Sequence, residues 1–181
     1  ILLQLSGGHS LRFHDPRRFG LFLWIDHDIE THALLASLGP EPFSLTFTAD
    51  HLYSLSRRRT VPVKSFIMDN HVVVGVGNIY ASESLFLTGL HPLMPARGLT
   101  LLDCAMLRAT IRHILSQAIH RGGTTLRDFV NSSGNPGYFQ QELMVYGREQ
   151  DICRICSSPL QSLRIAGRGT VFCPSCQPVR P

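Results

Sequence analysis

Lysine is nearly absent from this 181-residue chain: Lys+Arg number 17, and Lys64 is the only lysine among them. Arginine therefore carries the positive charge. Its planar fork of donors suits paired phosphate oxygens, although a GC-rich genome favours arginine codons as well. Charged residues are scarce, 17% against 44% hydrophobic, and no long low-complexity run occurs, which excludes disorder for most of the chain. No apolar run approaches the length needed to cross a bilayer. The segment Ile1-Leu2-Leu3-Gln4-Leu5 has neither a basic flank nor a cleavage site, so it is not a signal peptide. It reads as a strand already under way. With no initiator methionine, the chain is expected to begin inside a larger protein. The histidines form no His-x-x-x-His pair, no nucleophile and base stand together, and no phosphate-binding glycine loop is followed by lysine.

What remains is a mildly basic chain, formal charge +4 and pI about 9.0, compatible with nucleic acid without proving it. Of five cysteines, four sit at the end: Cys153, Cys156, Cys173 and Cys176 read C-x₂-C-x₁₆-C-x₂-C. Each Cys-x-x-Cys turn offers two thiolates to one ion, and two turns complete a tetrahedron. Two disulfides or four free thiols are the alternatives, but a chain without a secretion signal favours a metal. Four protein ligands leave no open position, so the zinc is predicted to be structural. The intervening residues predict a hairpin, Leu160–Ile165 and Arg168–Phe172, turning at Ala166-Gly167. Cys104 lies in an apolar helical pattern and reads as core.

Along the chain, residues 1–25 look like β structure, with a Ser6-Gly7-Gly8 turn and a last apolar strand Leu21–Ile25. Helices are predicted at about Ile29–Leu38, stopped by Gly39-Pro40; at Thr48–Arg59, capped by Thr48; from Pro62 to about Met68; from Asn78 to about Leu87, ended by Gly89; and at Thr100–His120, ended by Gly122-Gly123. Residues 122–142 form a long polar loop, of a kind that is usually functional or mobile. The last thirty-odd residues hold too little apolar content to fold without metal.

Three weaker motifs stand beside the cysteines. Asp15-Pro16-Arg17-Arg18-Phe19-Gly20 joins cations to an aromatic in a turn; it suits a wedge entering a duplex, and equally a surface turn with Phe19 tucked inward. Gly75-Val76-Gly77-Asn78 precedes a helix and could offer amides to a phosphate, or simply cap that helix. Arg57-Arg58-Arg59 and Lys64 could extend a phosphate-binding face, or form a solvated helix end.

Taken together, these segments resemble the formamidopyrimidine-DNA glycosylase family. The resemblance runs from about Leu11 to Gln177. It covers His-Asp-Pro-Arg-Arg-Phe-Gly at 14–20, Leu-Gly-Pro-Glu-Pro at 38–42, Met-Asp-Asn at 68–70 and Val-Gly-Val-Gly-Asn-Ile-Tyr-Ala-Ser-Glu-Ser-Leu-Phe at 74–86. It continues with Gly-Gly-Thr-Thr-Leu-Arg-Asp-Phe at 122–129, Gly-Tyr-Phe at 137–139, Val-Tyr-Gly-Arg at 145–148 and the four cysteines.

The resemblance implies an α+β fold in three parts: residues 1–27 as the last strands of a truncated β-sandwich, residues 28–147 as a helix–two-turn–helix domain with a lesion-capping loop at 122–139, and residues 148–181 as a four-cysteine zinc finger. It implies excision of oxidised purines from double-stranded DNA by glycosylase and AP lyase action. Arg17 and Phe19 would fill the gap left by an everted base. Lys64, Asn78 and Tyr80 would grip phosphates, Tyr138 would contact another, and Arg168 would reach from the hairpin tip to the duplex. Thr124, Thr125, Leu126, Arg127, Asp128 and Phe129 would receive the damaged base. In the family an N-terminal proline, followed by glutamate, attacks C1′, displaces the base and forms a Schiff base. This sequence starts with Ile1, and neither the Pro-Glu start nor a lysine of the family's sandwich is present. The resemblance thus implies DNA and zinc binding without the nucleophile, by a monomer in the cytoplasm that touches no membrane. Ser157 stands where the family often has glycine. A non-catalytic zinc-dependent DNA-binding protein and a zinc-stapled protein-interaction module are the competing readings.

Overall fold

The computed structural model describes residues 1–15, 18–124 and 139–180 and divides into two compact units, Ile1–Ser37 and Leu38–Pro181. The architecture is α+β, in agreement with the sequence pattern.

The first unit is a short hairpin and turns. Strands β1 (Leu2–Gln4) and β2 (Ser10–Arg12) pair antiparallel with Leu3 opposite Leu11. The predicted strand Leu21–Ile25 does not form, and Trp24 is 94% exposed. A strand persists only against a ladder partner or a covered apolar face. Among the described residues this unit buries no hydrophobic side chain completely. The predicted helix from Ile29 shrinks to one 3₁₀ turn, Ile29–Thr31, capped by Asp28. Without a core to receive its apolar stripe, a short helix is not stable.

The second unit follows the sequence closely. Helix α1 (Ala49–Ser56) begins where the Thr48 hydroxyl accepts from the His51 amide at 3.0 Å. Helix α2 (Val63–Ile67) opens at Pro62. Helix α3 spans Asn78–Leu87, and Gly89, at φ +66°, lets the chain turn away. Helix α4 (Leu101–His120) starts with a capping box: the Thr100 hydroxyl accepts from the Asp103 amide, and the Asp103 carboxylate accepts from the Thr100 amide. Helices α1 and α3 pack on α4 around a core that includes Phe47, Leu52, Phe66, Ile67, Leu85, Leu107 and Ile111. Cys104 is part of it, and burial pushes its thiol up to about 11.

The cysteine module ends the unit. Strands β3 (Gln161–Ile165) and β4 (Arg168–Phe172) pair antiparallel, Ile165 opposite Arg168. Ala166 and Gly167 both have positive φ, +47° and +76°, the backbone of a two-residue hairpin turn whose twist matches the strands. Phe86 of α3 joins Val145, Leu160 and Val171 in a shared apolar cluster, so the module is built onto the helices.

Candidate functional site

The four C-terminal cysteines converge. Their sulfurs lie within 4.8 Å of one another, with Cys156 and Cys173 Sγ at 3.4 Å and Cys153 and Cys176 Sγ at 3.9 Å. Zinc–thiolate bonds of about 2.3 Å in a tetrahedron put sulfurs about 3.8 Å apart, so the group has the size of a Cys₄ zinc site. Within each knuckle an amide supports a sulfur: Ile155 N donates to Cys153 Sγ and Cys176 N to Cys173 Sγ, both at 3.4 Å. Ser157 turns the chain back at φ +59°, a left-handed conformation that glycine adopts freely. That geometry explains why glycine suits this position. Zinc, held by four protein thiolates with no free position, serves as a structural crosslink.

The module is bolted to the helical domain by residues that the sequence reading did not single out. Gln177 Oε1 accepts from the Cys173 amide at 3.0 Å, and its Nε2 donates to the Leu90 carbonyl at 2.8 Å, fully buried. Arg180 Nη1 lies 2.8 and 2.9 Å from the two Asp103 carboxylate oxygens. Burial alone would raise the Asp103 carboxyl, but the Thr100 amide and the Arg180 guanidinium hold it below the usual carboxylate range. Glu83, on α3 and 3% exposed, accepts three backbone amides: Met144 at 2.8 Å, Val145 at 3.0 Å and Tyr146 at 2.8 Å. An acidic residue among the buried positions of α3 was the one available signal for Glu83. Gln177 and Arg180 follow the last cysteine with no local pattern to mark them.

The hairpin tip meets α2 and α3. Lys64 Nζ donates to Thr170 Oγ1 at 2.7 Å and to the Gly169 carbonyl at 3.2 Å, and Asn78 Nδ2 donates to the same carbonyl at 3.2 Å. Lys64 and Asn78 thus meet the hairpin at Gly169 and Thr170, next to Arg168 in β4. The surroundings of Lys64 differ from a solvated helix end: it is 1% exposed, and no carboxylate among the described residues pairs with it. Burial, and then the Arg168 guanidinium, lower its pKa from 10.5 to about 8. Beside it lies a cavity of about 190 Å³ lined by Lys64, Ser65, Met68, Ile165, Ala166 and Arg168. Asn78 Oδ1 is buried with no hydrogen-bond partner among the described residues. Gly77 precedes Asn78 with no side-chain cap, so the first-turn amides of α3 have no side-chain acceptor at the cap. A buried ammonium and a neighbouring guanidinium, uncompensated by acid, form a site complementary to an anion.

Tyr80 belongs to a second neighbourhood, its hydroxyl 3.1 Å from Thr124 Oγ1 and its ring packed with Ile114, Ala118 and Leu143. Phe19 is in the first unit and largely exposed. Arg17, Thr125, Leu126, Arg127, Asp128, Phe129 and Tyr138 lie outside the described residues.

Comparison with known proteins gives this geometry a context. Residues 38–130 match the formamidopyrimidine-DNA glycosylase H2TH domain, and residues 152–179 match the zinc finger found in FPG and IleRS. The formamidopyrimidine-DNA glycosylase of Stutzerimonas stutzeri is 56% identical over 175 residues, covering 97% of this chain and 64% of that protein. That of Thioalkalivibrio sulfidiphilus is 53% identical, covering 97% and 65%. The chain therefore spans a little under two thirds of these relatives' length. Among solved structures, the MutM (Fpg) protein of Thermus thermophilus superposes with a TM-score of 0.87 at 40% identity, covering 97% of this chain and 67% of that one. Lactococcus lactis Fpg in complex with DNA containing an abasic site superposes at 0.74 with 35% identity, covering 81% and 54%. With the helical domain, the zinc module and most of the sequence between them all matching, the chain belongs to the formamidopyrimidine-DNA glycosylase family.

Proposed function

We propose that this chain is the damaged-DNA-binding part of a base-excision repair enzyme that removes oxidised purines, 8-oxoguanine and formamidopyrimidines, and then cleaves the strand as an AP lyase. The carrying observation is the anion-complementary site where Lys64, the N-terminus of α3 and the zinc hairpin meet. Phosphate oxygens of a duplex supply the charge that this site lacks. Lys64 and Asn78 frame that site, and Arg168 extends from the hairpin tip toward the DNA. Arg17 and Phe19 occupy the gap left by an everted nucleotide, and burying an aromatic there offsets the unstacking. Residues 124–129 receive the extruded base, while Tyr80 and Tyr138 add backbone contacts. The relatives are named formamidopyrimidine-DNA glycosylases, and Lactococcus lactis Fpg has been captured on DNA with an abasic site and on DNA with Fapy-dG.

The chemistry needs an amine at C1′ of the damaged nucleotide. Attack displaces the base, the resulting imine acidifies the adjacent position, and elimination nicks the strand. In the family that amine is an N-terminal proline. Within the chain, zinc supplies rigidity, and the protein's own residues bind and orient DNA. The protein works as a monomer on cytoplasmic DNA.

Borohydride trapping on duplex containing 8-oxoguanine tests the division of labour. The protein extended upstream to a Pro-Glu start becomes covalently linked, whereas residues 1–181 alone bind without crosslinking. Trapping of the 181-residue chain would assign the nucleophile to another amine.

A further inference from the structure

Two helices send donors to one carbonyl. Gly169 O accepts from Lys64 Nζ of α2 and Asn78 Nδ2 of α3, each at 3.2 Å. The neighbouring Thr170 hydroxyl takes a second Lys64 hydrogen bond at 2.7 Å. Gly169 directly follows Arg168, the residue that begins β4 after the turn. At its other end, β4 is fixed by Cys173 and by the apolar cluster around Val171. At the tip, Ala166, Gly167, Arg168 and Gly169 are all exposed. An isolated two-stranded hairpin is marginal, so the zinc knuckles leave the lateral position of this tip under-determined. The Lys64–Asn78 pair supplies the missing constraint. Keeping Lys64 there costs desolvation of a charge beside a second cation, which is unexplained if its only task is packing.

We propose that Lys64 and Asn78 are positioning residues for Arg168: through the Gly169 carbonyl they lock the tip of the zinc hairpin against α2 and α3 before any DNA arrives. Arg168 is then presented preorganised, and little of its binding energy is spent on ordering the tip. The lock is a property of the free protein. Its consequence for DNA rests on the function proposed above. The lock also sets a distinct energetic pattern. If each cation merely met its own phosphate, their removals would add. If Lys64 acts through Arg168, they couple.

The test uses the zinc-loaded 181-residue chain and the variants Lys64→Met, Asn78→Ala, Arg168→Ala and Lys64→Met/Arg168→Ala. Without DNA, ¹⁵N relaxation of the Arg168 side-chain Nε–H and the Gly169 amide shows a looser tip in Lys64→Met and Asn78→Ala, with zinc content unchanged. With a duplex carrying a stable abasic-site analogue, Lys64→Met and Arg168→Ala each weaken binding about tenfold, and the double variant is no weaker than about tenfold. A double variant weaker by about a hundredfold means independent phosphate contacts and overturns the positioning role. Unchanged tip relaxation in both single variants overturns the lock itself. A wild-type chain that relaxes as described and binds no duplex rejects the DNA reading and leaves the lock standing. Asn78→Ala, a half-buried site cutting the same carbonyl contact, carries the test if Lys64→Met does not fold.

Discussion

Replacing Glu83 with alanine removes the acceptor for three consecutive backbone amides, those of Met144, Val145 and Tyr146, at 2.8, 3.0 and 2.8 Å. The Val145 amide contact is fully buried and the other two are partly so, and Glu83 as a residue is 3% exposed. Alanine leaves the Val145 donor with neither water nor acceptor and strips the two half-buried donors of their acceptor. At roughly 1–1.5 kcal/mol for each orphaned donor the loss comes to about 4 kcal/mol, a large share of an ordinary domain's stability. Glutamine separates the contributions. Its single carbonyl oxygen keeps the Val145 and Tyr146 bonds if it takes the place of Oε1, but its amide nitrogen then faces the Met144 N–H, and about 2 kcal/mol is lost. The measurement is urea unfolding of the zinc-loaded chain, with hydrogen exchange at 144–146 as the local readout. The order wild type, Glu83→Gln, Glu83→Ala is expected, with faster exchange at those amides first. A Glu83→Ala loss below about 1 kcal/mol would refute the reasoning, because three buried amides would then have found other partners.

Other consequences are open to measurement. Chelating zinc, or replacing Cys173 with serine, should unfold β3 and β4 while α1 and α4 keep their helicity; metal analysis should find one zinc per chain, and a second equivalent would contradict the Cys₄ assignment. Lys64 has a folded-state pKa of about 8, below its ordinary 10.5. Its protonation therefore costs stability in full below about pH 8, and the cost is relieved as pH rises toward 10.5, by an amount on the order of 3 kcal/mol. Wild type should gain on Lys64→Met across that window in urea titrations at stepped pH, and parallel curves would exclude the shift. Ser157→Gly should stabilise the zinc-loaded chain by about 0.5–1 kcal/mol, since Ser157 sits at φ +59°; a lower melting temperature would mean that its side chain contributes more than the backbone strain costs.

Local chemistry alone determined much of this protein. Thr48 and Thr100 start α1 and α4, Gly89 ends α3, and the C-x₂-C-x₁₆-C-x₂-C spacing with Ala166-Gly167 between its halves defines both the metal site and the hairpin. Caps, breakers and knuckles act over a few residues, so their signal is written in adjacent letters. The Leu21–Ile25 strand does not form and the helix expected after Ile29 shortens to one turn, because each needs a surface to cover it and propensity does not supply one. Tertiary structure alone decided that Lys64 is buried rather than a solvated helix end, that it shares the Gly169 carbonyl with Asn78, that Gln177 and Arg180 join the zinc module to the helices, and that Glu83 holds the backbone at 144–146 leading into it. Those contacts link residues tens of positions apart, and no local pattern encodes which buried polar group will find which distant partner.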